Sequence, residues 1–308
     1  MIEAAQVEKP SASVESNADW RTRNVGRLLF AATNMFVRHK SRSMRGGGVA
    51  YASDAMMALV LNLDVEGTRL TTLAARAGQT KQSMIELVDK AEALRIVERS
   101  ADPRDLRAKI VRFTPDGVRV LEALENGIRQ AEAHFADVVG AAFLEDMTHQ
   151  LSRYIGLPPE TPSETVAARW RERNAGRILA LAARRFARDL LRFVHERGHR
   201  EVTQVLLVLF RNLDLDGTRL TTLAARGRMT KQSMRELVDR AEALGLVERR
   251  PDPVDRRAKT VAFMPAGLIM LDEMRCGVAL AEARFESIVG QPFAHVLRKR
   301  LNCYLSGE

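Results

Sequence analysis

Cysteine is scarce in this chain, with two among 308 residues. A disulfide framework needs more, so Cys276 and Cys303 read as free thiols in a reducing compartment, with redox sensing as the lesser alternative. Long apolar runs are missing too. The longest strongly apolar one, Val205 to Phe210, falls far short of the roughly 20 residues that a membrane-crossing helix requires. No positively charged start precedes an apolar stretch, so no secretory leader is recognised and a cytoplasmic location is expected. Neither a Ser/His/Asp arrangement nor a glycine-rich phosphate loop stands out. The expectation is a protein that is not an enzyme and carries no cofactor.

What the chain does have is itself, twice. Shifted by 150 positions it matches almost end to end without gaps. Trp20-Arg21-x-Arg23-Asn24-x-Gly26-Arg27 returns as Trp170-Arg171-x-Arg173-Asn174-x-Gly176-Arg177. Thr68 to Arg76 is identical to Thr218 to Arg226, and Thr80-Lys81-Gln82-Ser83-Met84 returns as Thr230-Lys231-Gln232-Ser233-Met234. Such a period is domain duplication, since solenoid repeats are much shorter. The reading is a polar tail over residues 1–18, a first domain over 19–156, a proline-rich linker over 157–166 and a second domain over 167–308. An internal pseudo-two-fold is expected.

Zinc chemistry is spelled once, in His195-Glu196-Arg197-Gly198-His199, the H-E-x-x-H pattern. It needs both imidazoles on one helical face. Gly198 belongs to a loop that should end the helix before His199, and the matching Arg45-Gly46-Gly47-Gly48 holds no ligand. No metal site is expected.

The formal charge is +9, which makes a polyanionic partner plausible without establishing one. Seven Arg or Lys fall between residues 20 and 53, before an acid appears at Asp54.

Within the first copy, Trp20 to Met44 reads as a helix and Val49 to Leu63 as a second. Arg69 to Ala77 reads as a short third, stopped by Gly78. Thr80 sits where an N-cap belongs, and Met84, Leu87, Val88, Ala91 and Leu94 make one apolar stripe on a fourth helix. Ile96 to Arg99 and Lys109 to Phe113 flank a charged turn and read as a hairpin. Thr114-Pro115 opens a long helix. Its stripe, Leu121, Leu124, Ile128, Ala131, Phe135 and Val138, recurs as Leu271, Met274, Val278, Ala281, Phe285 and Ile288. This spacing packs a helix lengthwise on a partner, and a seam between the copies is favoured over a stripe within one domain.

These residues resemble the MarR family of bacterial transcriptional regulators in both copies, over nearly all the chain beyond the tail. The likeness is carried by Leu70-Thr71-Thr72-Leu73-Ala74, Thr80-Lys81-Gln82-Ser83 and Leu87-Val88-Asp89. It continues through Val97-Glu98-Arg99, Asp102-Pro103-x-Asp105-x-Arg107-Ala108-Lys109 and Phe113-Thr114-Pro115-x-Gly117. The fold expected is mainly α with small β-hairpin wings, an α+β arrangement of tandem winged helix-turn-helix domains joined through long helices as an intrachain pseudo-dimer.

The chemistry suits double-stranded DNA. Thr80, Lys81, Gln82 and Ser83, and Thr230, Lys231, Gln232 and Ser233, open the two recognition helices away from their apolar stripes. Helix N-termini and Lys suit phosphate, and Gln can pair bidentately with adenine. In the wings, Arg107 and Arg257 suit the narrow minor groove, with Arg256, Lys109 and Lys259 beside them and Asp105 and Asp255 to hold the guanidiniums. Glu86 and Glu236 depart from the family by placing an acid on the reading helix. The copies also differ at Ile85 against Arg235, Gln79 against Met229, and Gly78 against Arg228, so unequal half-sites are expected. The resemblance implies, in addition, a pocket for a small aromatic effector, which no polar cluster in the sequence identifies. The alternatives are a non-specific architectural DNA-binding protein and a module that sequesters another regulator.

Overall fold

Asn24 and Asn174 start the first helix of each half by the same device. Each side-chain carbonyl accepts the N–H three residues on, from Arg27 and Arg177 respectively, both at 2.9 Å, which satisfies a helix-end donor that would otherwise lack a partner. A computed structural model describes residues 24–46, 54–77, 79–103, 105–158, 173–252 and 259–307. The tail over residues 1–18, Trp20, residues 49–53, Gly78, most of the expected linker, and Asp255, Arg256 and Arg257 lie outside the described residues.

The first half runs α1 (Val25–Gly46), α2 (Asp54–Asn62), β1 (Thr68–Arg69), α3 (Leu70–Ala77), α4 (Lys81–Ala93), β2 (Val97–Asp102), β3 (Asp105–Phe113), α5 (Pro115–Val139) and α6 (Ala141–Ile155). The second half repeats this order as α7 (Ala175–Glu196), α8 (Gln204–Asn212), β4 (Thr218–Arg219), α9 (Leu220–Gly227), α10 (Lys231–Ala243), β5 (Val247–Pro251), β6 (Lys259–Phe263), α11 (Pro265–Val289) and α12 (Gln291–Ser306). The fold is mostly helical with two small antiparallel sheets, ordered β1-β3-β2 and β4-β6-β5.

Three local expectations change. Arg69 belongs to a strand: Thr68 and Arg69 pair with Val111 and Ile110, as Thr218 and Arg219 pair with Val261 and Thr260. The free edge of the hairpin captures a two-residue segment before α3 begins. The stripe of α4 ends at Ala91. Arg95 adopts a left-handed turn, φ 56°, which leaves Leu94 exposed and brings Ile96 into the core in its place. On the long helices, Val138 and Ile288 are only half-buried, and Val139 and Val289 take the buried positions. The 25-residue length of each lets a straight helix drift off a strict 3.5-residue repeat.

The chain forms two compact units, and neither follows one half of the sequence. One contains the described residues up to Ala31, then 153–157 and 180–302. In that unit the Val25 N–H donates to Glu282 at 3.0 Å, and the backbone of α1 approaches α7 so closely that a Cβ on Gly26 would lie 2.2 Å from the Phe186 ring. Tyr154, from the end of α6, meets Phe285 edge-on with ring centroids 4.8 Å apart.

The other unit contains described residues within 32–152, 158–179 and 303–307. Here the Ala175 N–H donates to Glu132 at 2.7 Å, a Cβ on Gly176 would lie 2.5 Å from the Phe36 ring, and Tyr304 meets Phe135 at 4.6 Å. Tyr154, Tyr304, Phe36, Phe135 and Phe285 are among the largest side chains with essentially no exposure. The long-helix stripe therefore packs in two directions. Gly127 of α5 approaches Lys40 and Met44 from its own half, while Phe135 meets Tyr304 from the other.

The halves differ in how the long helices are closed. Thr114 caps α5, accepting from the Gly117 N–H at 3.0 Å, whereas Met264 holds the same extended conformation before α11 and supplies no side-chain cap. Met264→Thr should therefore stabilise the chain by about 1 kcal/mol in urea unfolding; no gain would show that the cap is not limiting.

Glu132 supplies a second test. Burial raises its carboxyl above the ordinary 4.5, with the Ala175 hydrogen bond opposing the rise. Glu282 has Arg298 at 3.2 Å, but the matching residue of the first half is Thr148. The folded chain holds a proton on Glu132 more tightly than the unfolded chain does. Stability contributed there is full below the ordinary carboxyl value and falls as pH rises through the raised folded value. Glu132→Gln keeps an acceptor for Ala175 and should flatten that part of a stability profile taken between about pH 4 and pH 7. An unchanged slope would contradict the assignment.

Candidate nucleic-acid interface

The opening of α4 is fixed by hydrogen bonds and the side chains around it face outward. Thr80 accepts from the Ser83 N–H at 3.1 Å, and Thr230 from the Ser233 N–H at 3.0 Å. Their hydroxyls also meet the Ser83 and Ser233 hydroxyls, each pair at 2.9 Å. These four residues thus build the helix start. Lys81, Gln82, Lys231 and Gln232 stand exposed on it, while Met84 and Met234 are fully buried beneath. Ile85 is half-buried and Arg235 is exposed, so the sharpest sequence difference between the copies lies on this outward face.

The acids on α4 and α10 have a partner that the sequence reading missed. The Gln82 amide donates to Glu86 at 3.3 Å and the Gln232 amide to Glu236 at 3.0 Å. The i, i+4 spacing was the available signal. Each Gln keeps its carbonyl oxygen and one N–H, which is the donor–acceptor pair that adenine demands. The acid holds that amide in one orientation while adding a negative charge near the surface.

Each of α4 and α10 is tied to the neighbouring hairpin by one arginine. Arg99 on β2 bonds Asp89 at 2.7 Å and also Glu92; Arg249 on β5 bonds Asp239 at 2.7 Å and also Glu242. Arg76 bonds Asp64 at 2.8 Å and the Asn62 carbonyl at 3.0 Å, bracing α3 against the end of α2. Arg226 repeats the arrangement with Asp214 at 2.5 Å and the Asn212 carbonyl at 3.0 Å. Each of these arginines bridges two acceptors at once, which fixes orientation better than a single exposed contact.

The wing carries an anchor that the sequence reading missed. Asp105 contacts Arg69 at 3.5 Å; its expected hold on Arg107 falls on a side chain outside the described residues. The stronger partner of Arg69 is Asp102, at 2.7 Å, and Arg219 pairs likewise with Asp252 at 2.6 Å. Asp102 and Asp252 are buried. The hydrogen bond that Arg69 donates to Asp102, followed by the charge of that carboxylate, raises the Arg69 pKa above its ordinary value. The first aspartate of Asp102-Pro103-x-Asp105 is thus a structural anchor that fastens the wing to the strand before α3. Asp105, Lys109 and Lys259 are exposed. Arg107 lies in β3, its side chain outside the described residues.

The H-E-x-x-H stretch is not assembled as a metal site. α7 ends at Glu196, and the two imidazoles go to different partners, His195 to the Val202 carbonyl at 2.7 Å and His199 to Glu273. Cys276 and Cys303 are free and exposed. Among the described residues, no helix is long and apolar enough to cross a membrane.

Residues 199–258 match the model of the MarR family. The match covers α8, β4, α9, α10 and β5 and ends beside β6, so a MarR-family domain is present in the second half. No curated protein matches the chain. Similar solved structures include a MarR-family transcriptional regulator from Rhodococcus sp. RHA1, 20% identical over 43% of this chain and 93% of that one, with a TM-score of 0.37. Another is CouR from Rhodococcus jostii RHA1 bound to p-coumaroyl-CoA, 22% identical over 48% of this chain and 99% of that one, TM-score 0.37. A third is the transcriptional repressor CouR bound to a 23-mer DNA duplex, 25% identical over 42% of this chain and 90% of that one, TM-score 0.34.

Proposed function

We propose that the chain is a transcriptional regulator that binds double-stranded DNA through two winged helices carried on one polypeptide. The observation that carries the reading is the pair of matching helix starts, each with an exposed Lys and Gln held over a buried Met and braced to a wing by arginine. The MarR-family match over residues 199–258 supports it. The 150-residue self-match extends the same reading to the first half.

In this proposal the two halves act as a covalent pseudo-dimer over an imperfect palindrome. The recognition helices enter successive major grooves about 34–36 Å apart. Wing residues Arg107, Lys109, Asp255, Arg256, Arg257 and Lys259 serve the flanking minor grooves. Arg235 gives the second half a cation where the first has Ile85, so the second half binds its half-site more tightly. A small aromatic effector modulating the contact remains part of the proposal.

Selection of bound genomic fragments followed by footprinting should return an asymmetric site, with Lys231→Ala costing more affinity than Lys81→Ala. The apparent affinity should fall steeply with salt, as counterion release from several phosphate contacts requires. A symmetric footprint with equal losses would remove the unequal-half-site reading. Equal affinity for random duplex would favour an architectural role, and no shift even at low salt would favour sequestration of another regulator.

Glu236→Ala removes a negative charge from the reading face and frees the Gln232 amide. It should raise affinity for all duplexes several-fold while reducing the preference for the selected site. Weaker binding to every duplex would contradict the orienting role of the acid.

A further inference from the structure

Among the described residues, two that are not glycine hold a left-handed backbone, Arg95 at φ 56° and Arg228 at φ 52°. Both are arginines, and at each position the other half of the sequence carries glycine: Gly245 opposite Arg95, Gly78 opposite Arg228. A Cβ makes this conformation costly, and glycine is the residue that helix ends ordinarily place there. The two arginines flank different ends of α4 and α10. Arg95 follows α4, and Arg228 precedes α10.

The turn at Arg228 does not need the arginine side chain. It closes through backbone bonds, from the Arg228 N–H to the Ala225 carbonyl at 3.1 Å and from the Met229 N–H to the Ala224 carbonyl at 2.9 Å. The first half makes the matching second bond, from Gln79 to Ala74, at the same 2.9 Å, with Gly78 in the sequence. The neighbouring Gly227 serves packing instead, since a Cβ on it would lie 2.9 Å from the Met234 side chain and 3.3 Å from that of Val208.

What the side chain adds is charge at the surface. Arg228 is exposed, and among the described residues its guanidinium meets no acid or carbonyl, whereas Arg226 is taken by Asp214. Lys231 and Arg235 are the next exposed cations along the chain. The first half has Gly78, Lys81 and Ile85 at these three positions, one cation against three. The whole chain leans the same way: residues 157–308 hold 27 Lys or Arg against 19 Asp or Glu, while residues 1–156 hold 21 against 20.

We propose that Arg228 is a DNA phosphate contact, for which the second half gives up local stability to gain a hold on any duplex. This rests on the DNA-binding function proposed above and adds to it a contact outside both reading helix and wing. A guanidinium presents a fixed fork of donors that matches phosphate oxygens, and a phosphate carries no base identity. Part of the tighter binding of the second half is therefore backbone affinity, which is the same on every sequence.

Fluorescence anisotropy on the full chain with a random-sequence duplex of about 30 base pairs, long enough for two half-sites one turn apart, tests the contact without a known target site. Arg228→Gly should weaken binding several-fold. Its plot of log affinity against log salt should be shallower by about 0.9, the slope that one phosphate contributes. The urea midpoint of the same variant should rise, because glycine relieves the left-handed turn. Arg228→Lys should keep the wild-type salt slope. Arg95→Gly should also raise the urea midpoint, yet leave affinity and salt slope as they were, since Arg95 follows the far end of a 13-residue helix, about 20 Å from its start. Three results overturn the contact: an unchanged salt slope in Arg228→Gly, a lowered urea midpoint in that variant, which would make the arginine a charge serving the end of α9, or equal losses of affinity from Arg95→Gly and Arg228→Gly. A wild-type chain that bound no duplex even at low salt would overturn the DNA-binding function itself, and the contact with it.

Discussion

A glutamate on each long helix receives the first N–H of a helix from the other half of the sequence. Glu282 takes the Val25 N–H and Glu132 takes the Ala175 N–H. A helix start presents unpaired donors and a positive dipole end, so a carboxylate there satisfies a bond and a field together. The exchange brings Gly26 against Phe186 and Gly176 against Phe36, where the missing Cβ is what lets the backbone approach an aromatic ring. It also puts Tyr154 and Tyr304 against the buried rings of Phe285 and Phe135. Part of each long helix's apolar stripe is buried by these contributions.

The outward surfaces obey a different rule. The α3–α4 segment, the wing and their counterparts are held by contacts between residues close in sequence, through Arg76, Arg99, Arg226 and Arg249. Long-range packing builds the interior, and short-range charge pairs aim the side chains that face outward. A surface substitution such as Ile85 against Arg235 can therefore change what is presented without disturbing what supports it.

Much of this was legible in the sequence because it is local or periodic. Thr80 and Thr230 as caps, the hairpins, the Thr114-Pro115 helix start and the long apolar stripes all follow from spacing alone. The two-residue strands β1 and β4 were not legible, because two residues carry no period. The anchoring role of Asp102 and Asp252 was not legible for a related reason: the arginine that pairs with each lies 33 residues earlier. The exchanged helix ends were invisible because no local pattern records a partner in the other half.

The Val25–Glu282 bond joins residues 257 positions apart, which sets an order on events during synthesis. At roughly 5–20 residues per second, about 13–50 s separate the emergence of the two partners from the ribosome. Throughout that interval the start of α1 has no acceptor, and until Phe186 is made it has no aromatic ring to pack on either, although its own half has already been made. The nascent first half is thus an incomplete fold with an apolar edge held open. The chain completes itself only when its last long helix arrives, and in that interval its exposure to chaperones and to identical neighbouring chains is greatest.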